Sequence, residues 1–405
     1  MNLDDLKTLK SPVLVHLQDR GFIKDCTNLK ELDTLCLNNK ITVYSGYDLT
    51  ANSLHAGNLM TLMMLRIFQQ HGHNVIALLG GATTKIGDPT GRDTARPILS
   101  DEQILNNLQG ISGNFKQVFE KPVEVVNNND WLAKISYIEM LQHIGRHVTI
   151  DVMLSMDSVN LRRGRGLTLT EFNYMMMQAC DFLHLYKERN CVLQVGGSDQ
   201  WGNIIQGVEL IRRTFAEEGN VAQGFGLTCP LITRSDGAKM GKSADGAVWL
   251  SKEKLSHFDY FQYFRNIADV DVPKCLRFFT ELPMEEIHKL EKLQGKKINE
   301  AKKVLAFEAT RIIHGKDLAN EALQSAVAIH EQSTTNVIME EVFVQASNIL
   351  DVLVEAGLAQ SRGEGKKLIS QGAIWLDGLK CEDITTIMQD SVIKKGKKVV
   401  RVVIK

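Results

Sequence analysis

Three short β-branched runs in this chain each end in small residues and give way to a helical pattern. Residues 40–45 (KITVYS) run into a loop of small residues and then a helical stretch over 59–71. Residues 74–79 (NVIALL) end at Gly80 and Gly81, and residues 191–195 (CVLQV) end at Gly196 and Gly197. Strand, glycine turn, helix, strand is the pattern of a parallel sheet with crossover helices. Ligands of such sheets lie beyond the carboxyl ends of the strands. The three loops are therefore expected to meet in one crevice.

Past residue 250 the glycine turns thin out. Stretches 284–293, 298–313 and 317–330 read as amphipathic helices, and QSTTN at 332–336 reads as a hinge. The expected divisions are 1–248 for the sheet domain, 249–331 for a helical domain, 332–344 for a linker and 345–405 for a terminal unit. A length of 405 residues agrees with two to three domains at roughly 150 residues each. An apolar share of 44% with 23% charged residues is that of a soluble globular chain and excludes long disorder. The start MNLDDLKTLK has two acids and no apolar segment, so no leader is expected, and no run reaches the ~18 apolar residues of a membrane span. Seven scattered cysteines without a CxxC pair suggest reduced thiols in the cytoplasm and no zinc site.

Whole-chain charge is nearly balanced, with 47 Lys and Arg against 48 Asp and Glu, but the balance is uneven along the chain. From Arg362 onward there are ten basic side chains and five acidic ones, a net of about +5 that leaves about −6 for the rest. A basic terminal module on an acidic body suggests a polyanionic partner. The alternative is a solvated lysine-rich tail.

Two short motifs frame the chemistry. In YSGYDLTANSLHAGN (44–58) the chain leaves a strand and enters a helix, whose first N–H groups attract phosphate. His55 and Asn58 are three apart and are expected on one helix face, and Gly57 leaves room for a purine. A lone histidine in a helix is more often structural. KMGKS (239–243) sets two lysines around a glycine, suited to a loop that closes over a developing pyrophosphate. Taken alone it reads equally as an exposed basic loop. Between these lie GGATTKIGDPTG (80–91) and QVGGSDQWGN (194–203). Tyr174, Gln178 and Asp181 are spaced to share one helix face, next to a methionine stripe at 175–177 expected in the core. The P-loop pattern GxxxxGK[ST] and the dinucleotide GxGxxG are absent from these strand ends. His143 and His147 have metal-ligand spacing but no acidic third ligand nearby, so a surface pair is expected.

Taken together, the motifs resemble those of class I aminoacyl-tRNA synthetases, and within them the bacterial-type tyrosyl enzymes. HAGN is similar to the HIGH signature, KMGKS to KMSKS, and 351–380 (DVLVEAGLAQSRGEGKKLISQGAIWLDGLK) to the S4 RNA-binding domain. The resemblance implies an α/β fold: a Rossmann-like parallel-sheet catalytic domain, a small α-helical domain and a C-terminal α+β S4-like RNA-binding domain. It implies that tyrosine attacks the α-phosphate of ATP, and that the adenylate passes tyrosine to the 3′ end of its tRNA without a covalent enzyme intermediate. Thr50 and His55 would lie near the γ-phosphate, with Lys239 and Lys242 on the departing pyrophosphate and Arg92 and Arg96 opposite. Gly46, Asp48, Gly57, Asn58, Gly197 and Asp199 would hold the nucleotide. Tyr44 and Asp181 would meet the phenol hydroxyl, Tyr174, Gln178 and Asp88 the ammonium group, and Gln200 the carboxylate. Magnesium would arrive with ATP, needing no protein cage. In the terminal unit two short helices would meet at 361–362, a turn at 377–378 would join strands, and Arg362, Lys366 and Lys367 would face RNA phosphate. A homodimer through the sheet domain is also implied. Asn58 replaces a histidine and cannot be cationic, while Gly241 replaces a serine and is expected to add backbone freedom. A tryptophan enzyme of the same class and an RNA-binding relic without catalysis remain the alternatives.

Overall fold

The computed structural model describes residues 6–90, 99–156, 159, 166–233, 235, 237, 240–243, 246–330, 340–345, 348–377, 379–381, 384, 387, 390–396 and 398–404. It divides into two compact units, 1–316 and 317–405.

The first unit opens with α1 (Pro12–Asp19), β1 (Asp25–Cys26), α2 (Leu29–Asn38), β2 (Thr42–Asp48) and α3 (Leu59–Gln70). It continues through β3 (Asn74–Gly80), α4 (Asp101–Val118), β4 (Glu124–Asn127), α5 (Leu169–Arg189), β5 (Cys191–Gly197), α6 (Trp201–Glu217) and β6 (Phe225–Cys229). The sheet runs β1-β6-β5-β2-β3-β4. Strands β2 to β6 are parallel, and β1 closes one edge antiparallel to β6. The chain builds outward from β2 to β4, then crosses back to lay β5 on the other side of β2. The order thus reverses between β2 and β5, where an open α/β sheet leaves its crevice.

The three expected strands are present. β3 is buried at every position after its first, which is why it reads as a continuous apolar run. β2 extends past residue 45 to Asp48, because Gly46 pairs in register with Leu78. Strands β1, β4 and β6 were not expected. β1 has two residues, β4 is a four-residue edge strand with no buried position, and β6 (FGLTC) carries a glycine. Helix α5 starts on a capping box between Thr168 and Glu171 and ends on Asn190 at φ 49°, a left-handed position that asparagine tolerates. Its Met175 and Met176 are buried in the core.

After the sheet come the short strands β7 (Lys242–Ser243) and β8 (Gly246–Ala247), then α7 (His257–Arg265), α8 (Val272–Phe279), α9 (Met284–Glu291) and α10 (Ile298–His314). Buried cations tie this helical layer to the sheet's own helices. Arg66 on α3 pairs with Glu120 at 2.7 Å and with Glu281 at 2.6 Å, and Glu281 also holds Arg311 at 3.0 Å. Arg20 donates to the carbonyls of Arg277 (2.8 Å) and Leu282 (2.6 Å).

His143 and His147 do not form the expected surface pair. His147 is buried, with Nε2 3.7 Å from Glu217, while His143 is exposed on a π-helical turn, Met140–Ile144. Among the described residues no three His, Cys, Asp or Glu side chains converge as a metal site. No described helix is long and apolar enough to cross a membrane.

The second unit takes in α11 (Lys316–His330), β9 (Glu340–Val344), α12 (Ile349–Glu355), α13 (Arg362–Ser370), β10 (Ile374–Leu376), β11 (Leu379–Lys380), β12 (Ser391–Lys395) and β13 (Lys398–Ile404). Its sheet is ordered β11-β10-β12-β13-β9, with β13 and β9 parallel and the other pairs antiparallel. Ile349, Leu353, Ile374, Ile393, Val400 and Val402 form its core. Two expectations are corrected. The last five residues of the expected linker 332–344 are strand β9, which a sequence with two leading glutamates conceals. The two helices also do not meet at 361–362: α12 ends at Glu355, and Ser361 is the cap of α13, accepting from the Glu364 N–H. Asp377, at φ 48°, stands in the turn between β10 and β11. Residues 332–336 and 378 lie outside the described residues.

Candidate active site

A cavity of about 630 Å³ opens at the carboxyl ends of β2, β3 and β5. It is lined by Tyr44, Gly46, Asp48, Thr50, His55, Gly57, Asn58, Asp88, Tyr174, Gln178, Asp181, Gly197, Asp199 and Gln200. Arg92, Arg96 and Lys239 lie outside the described residues, as does the side chain of Lys242. The Lys242 backbone stands in β7, paired with Ala247, which lines the cavity.

His55 and Asn58 do not share a helix face. His55 is extended (φ −129°) and caps the single 3-10 turn Ala56–Asn58 that leads into α3. Its Nδ1 accepts from the Gly57 N–H at 3.0 Å, and the Asn58 Oδ1 accepts from the His55 N–H at 3.1 Å. This reciprocal cap sets His55 ahead of the turn rather than on a helix face and fixes Nδ1 as an acceptor, so in the neutral ring the proton is on Nε2. The segment 246–250 straps the turn. The Ala56 N–H donates to Val248 at 2.7 Å, the Leu250 N–H donates to Leu54 at 2.9 Å, and His55 bridges Trp249.

Within KMGKS, Gly241 rests on the same turn. Gly241 has φ 95°, and a Cβ there would lie 2.4 Å from the Gly57 nitrogen. The glycine is thus required by position and contact, which corrects the expectation that it merely adds freedom. Its N–H donates to the Tyr263 hydroxyl on α7 at 3.1 Å, and its carbonyl accepts from Val248 at 2.9 Å. The neighbouring Met240 is buried against Cys275, sulfur to sulfur at 3.9 Å.

The cavity floor is polar and buried. Asp181 is fully buried, and its two oxygens accept from Trp131 Nε1 at 2.8 Å and Asn128 Nδ2 at 2.9 Å. Burial raises its pKa from 3.8 to about 7, against the lowering effect of those two hydrogen bonds and with a further push from Asp48. Asn128 is placed by its own contacts, donating also to Thr83 Oγ1 at 3.0 Å and accepting from the Ala82 N–H at 2.8 Å. Trp131 stacks on His184 at 4.2 Å. Sequence reasoning missed Asn128 and Trp131; the asparagine cluster at 127–129 after β4 was the one available signal. Tyr44, on β2, packs against Phe182 at 5.3 Å, and its hydroxyl is buried without a hydrogen-bond partner. Burial and the nearby Asp181 hold that phenol well above its usual pKa, so it is a neutral donor.

The opposite wall carries two carboxylates. The Tyr174 hydroxyl donates to Asp48 at 3.2 Å. Gln200 Nε2 donates to Asp88 at 2.8 Å, while Asn203 Nδ2 donates to Gln178 Oε1 (3.0 Å) and Gln200 Oε1 (3.1 Å). Paired acids within a hydrogen-bonded amide network suit a cationic group, and the buried acceptor Asp181 with the donor Tyr44 suits a hydroxyl.

In the second unit Arg362, Lys366 and Lys367 are exposed on α13. Arg362 pairs with Asp351 at 3.2 Å. Two other cations are engaged within the unit: Lys395 donates to the Leu358 carbonyl at 2.6 Å, and Arg401 pairs with Glu341 at 3.4 Å.

A family model described as tRNA synthetases class I (W and Y) matches residues 37–331, and one described as the tyrosine–tRNA ligase SYY-like C-terminal domain matches 329–402. The chain is 48% identical over 378 residues to the tyrosine–tRNA ligase of Gluconobacter oxydans, covering 90% of each chain. It is 47% identical to that of Nitrobacter winogradskyi, covering 93% of this chain and 91% of the relative. Among solved structures it is similar to a C-terminally truncated mitochondrial tyrosyl-tRNA synthetase of Aspergillus nidulans, with TM-score 0.71 and 32% identity over 80% of this chain and 96% of that one.

Proposed function

From the premise that this chain belongs to the class I tRNA synthetases for tryptophan and tyrosine and acts as a tyrosine–tRNA ligase, we propose how its cleft divides the work. ATP, tyrosine and tRNA are the substrates. The observation that carries the reading is the cavity floor, where a buried carboxylate and an unpartnered phenol face the same space. Asp181 accepts from the substrate hydroxyl and Tyr44 donates to it. Asp48, Asp88, Tyr174 and Gln178 hold the ammonium group, and Gln200 reaches the carboxylate. This leaves the tyrosine carboxylate directed toward the turn 55–58, where the nucleotide lies over Gly57 and Asn58, its ribose on Asp199. Gly46 and Gly197 keep side chains away from it, and Thr50 and His55 face the triphosphate.

Adenylate formation then needs positioning and charge stabilisation rather than a nucleophile on the protein. Lys239, Lys242, Arg92 and Arg96 supply that charge as pyrophosphate departs. Magnesium enters on the phosphates, in keeping with its preference for water and phosphate oxygens over a protein cage. Arg362, Lys366 and Lys367 bind tRNA phosphate. The segments fall as a catalytic domain to residue 248, a helical domain from 249 to 316 and, from 317 onward, the compact unit that binds RNA. Seven free, buried cysteines support a cytoplasmic setting.

The test is ATP–pyrophosphate exchange with tyrosine, tryptophan and phenylalanine. Exchange with tyrosine alone is expected; exchange with tryptophan at a comparable rate would overturn the assignment of the floor. The pH dependence follows from Asp181. Only its ionised form accepts the phenol hydrogen, so kcat/KM for tyrosine should rise with pH through about 7. KM for ATP should lack that limb. The same group affects stability with the opposite sign. Its raised pKa means that the folded chain keeps a proton that the unfolded chain releases above pH 3.8. Its contribution is therefore full below about pH 4 and is lost as pH rises to about 7.

We also place a homodimer interface on the segment 137–152. Tyr137 (60% exposed), Ile138 (75%), Leu141, Ile150 and Val152 present large apolar side chains there, a surface that solitary proteins seldom leave open. Sedimentation should give twice the 45.3 kDa of one chain. Ile138→Asp should shift the protein toward monomer at micromolar concentration and lower charging with it. A wild-type monomer would remove this assignment.

A further inference from the structure

We propose that Tyr263 is a positioning residue for adenylate formation, its hydroxyl seating the KMGKS loop over the turn 55–58; this rests on the reading of Lys242 as a group that stabilises the departing pyrophosphate. Lys242 opens β7, which forms with β8 a two-stranded sheet of two residue pairs. So small a hairpin is not stable by itself, and the place of Lys242 depends on what holds the chain on either side of it. After the hairpin, Val248 donates its N–H to the Gly241 carbonyl at 2.9 Å and accepts from the Ala56 N–H at 2.7 Å. Before the hairpin, the anchors are Met240 and Gly241. Met240 donates its N–H to the Ile232 carbonyl at 3.0 Å, and its side chain is buried with its sulfur against Cys275 on α8.

The Gly241 N–H completes this junction. It lies one residue ahead of β7, and the acceptor that it meets is a side chain of the helical layer, the Tyr263 hydroxyl at 3.1 Å. A backbone N–H held against a packed neighbour needs such an acceptor. Gly241 has no side chain of its own to grip with, because its approach to Gly57 leaves no room for a Cβ. The phenol is a fixed post. Its ring stands edge-on to Phe264 with centroids 5.2 Å apart, and the fully buried Phe264 packs on Tyr260 at 5.3 Å and on Phe279 at 5.5 Å. The two anchors differ in kind. The sulfur contact of Met240 has little direction and tolerates sliding. The hydroxyl bond fixes the plane of the 240–241 peptide, next to the peptide that leads into Lys242. Without it that peptide can turn, and the seated loop becomes a smaller share of the ensemble. Substrates still bind in the cleft, but the step that needs the lysine slows.

The experiment uses the full-length enzyme and Tyr263→Phe, which keeps the ring on Phe264 and removes the acceptor. Three quantities are measured: the rate of the first adenylate turnover, the equilibrium binding of tyrosine, and the melting midpoint. Turnover should be about fivefold slower, the size expected for one ordinary hydrogen bond, with tyrosine binding and the midpoint unchanged. Hydrogen exchange of the peptide spanning 239–243 should quicken, which reports loop seating independently of turnover. The same substitution is then made in Lys242→Ala. If Tyr263 acts through that lysine, adding Tyr263→Phe should slow the lysine variant by no more than about 1.5-fold. A normal rate in Tyr263→Phe, the full fivefold loss in both backgrounds, or a loss accompanied by weaker tyrosine binding or a lower midpoint overturns the proposal and makes Tyr263 a packing residue of the helical layer. Lys242→Ala with wild-type turnover would instead overturn the reading of KMGKS on which the proposal stands.

Discussion

Asp181→Ala should lower kcat/KM for tyrosine about a thousandfold while KM for ATP changes by no more than about twofold. Three losses combine. The substrate hydroxyl loses a charged acceptor, and hydrogen bonds to charged groups contribute about 1.5–3 kcal/mol. Asn128 Nδ2 and Trp131 Nε1 also lose their acceptor, and a buried donor left unmatched costs about 1–3 kcal/mol. These terms share one cavity and are not additive. A net of about 4 kcal/mol, close to three decades, is a reasonable sum. ATP is spared because Asp181, on α5, sits at the cavity floor, while the nucleotide is assigned to the turn 55–58. The measurement is exchange kinetics with each substrate varied in turn. Comparable losses for tyrosine and ATP would mean that Asp181 supports the fold of the cleft rather than reading the ring.

Ending the chain after residue 330 should bring tRNA charging to background and leave tyrosine-dependent exchange within about twofold of the full chain. All the described cavity-lining residues precede residue 250, and the exposed cations of α13 all follow residue 361. The cut has to fall before β9. A chain ending at 344 would keep β9 without β13, its strand partner among the described residues, and an unpaired strand with Val342, Phe343 and Val344 invites aggregation. The comparison should be made at several salt concentrations. Binding of tRNA by the intact chain should weaken steeply with salt as phosphate contacts release counterions. Charging that survives the deletion would place the tRNA anchor elsewhere. Loss of exchange as well would mean that the first unit depends on the second.

What was legible in the sequence was what burial makes repetitive. β2, β3 and β5 are interior strands ending in glycine or small residues, and α3, α9, α10 and α11 carry a regular apolar spacing; all were found to within a few residues. The lining of the cavity was legible because it lies on three loops with strong motifs. Asn128 and Trp131 were not, since they follow an edge strand and become informative only when β4 brings them over Asp181. The cap formed by His55 could not be separated from a helical position by spacing alone, because i and i+3 describe both. The contact between Gly241 and Gly57 joins residues 184 positions apart and leaves no local trace.

The strand order of the terminal sheet bears on how the chain is made. β13 is the last strand of that sheet along the chain, yet it is an interior strand, flanked by β12 and by β9. β9 is the first strand of that sheet to be synthesised and must wait for the last. Until Lys398–Ile404 has been synthesised, Glu340–Val344 lacks its partner strand, and the buried side chains of Val400 and Val402 are missing from the core. The first unit has no such dependence and can fold while the rest is still being made. A prematurely terminated chain would thus carry a finished adenylation cleft and an open terminal sheet. Completion of the seven-residue strand β13 is what closes the terminal sheet, and a chain cut short before it keeps β9 as an unpaired edge open to association with other chains.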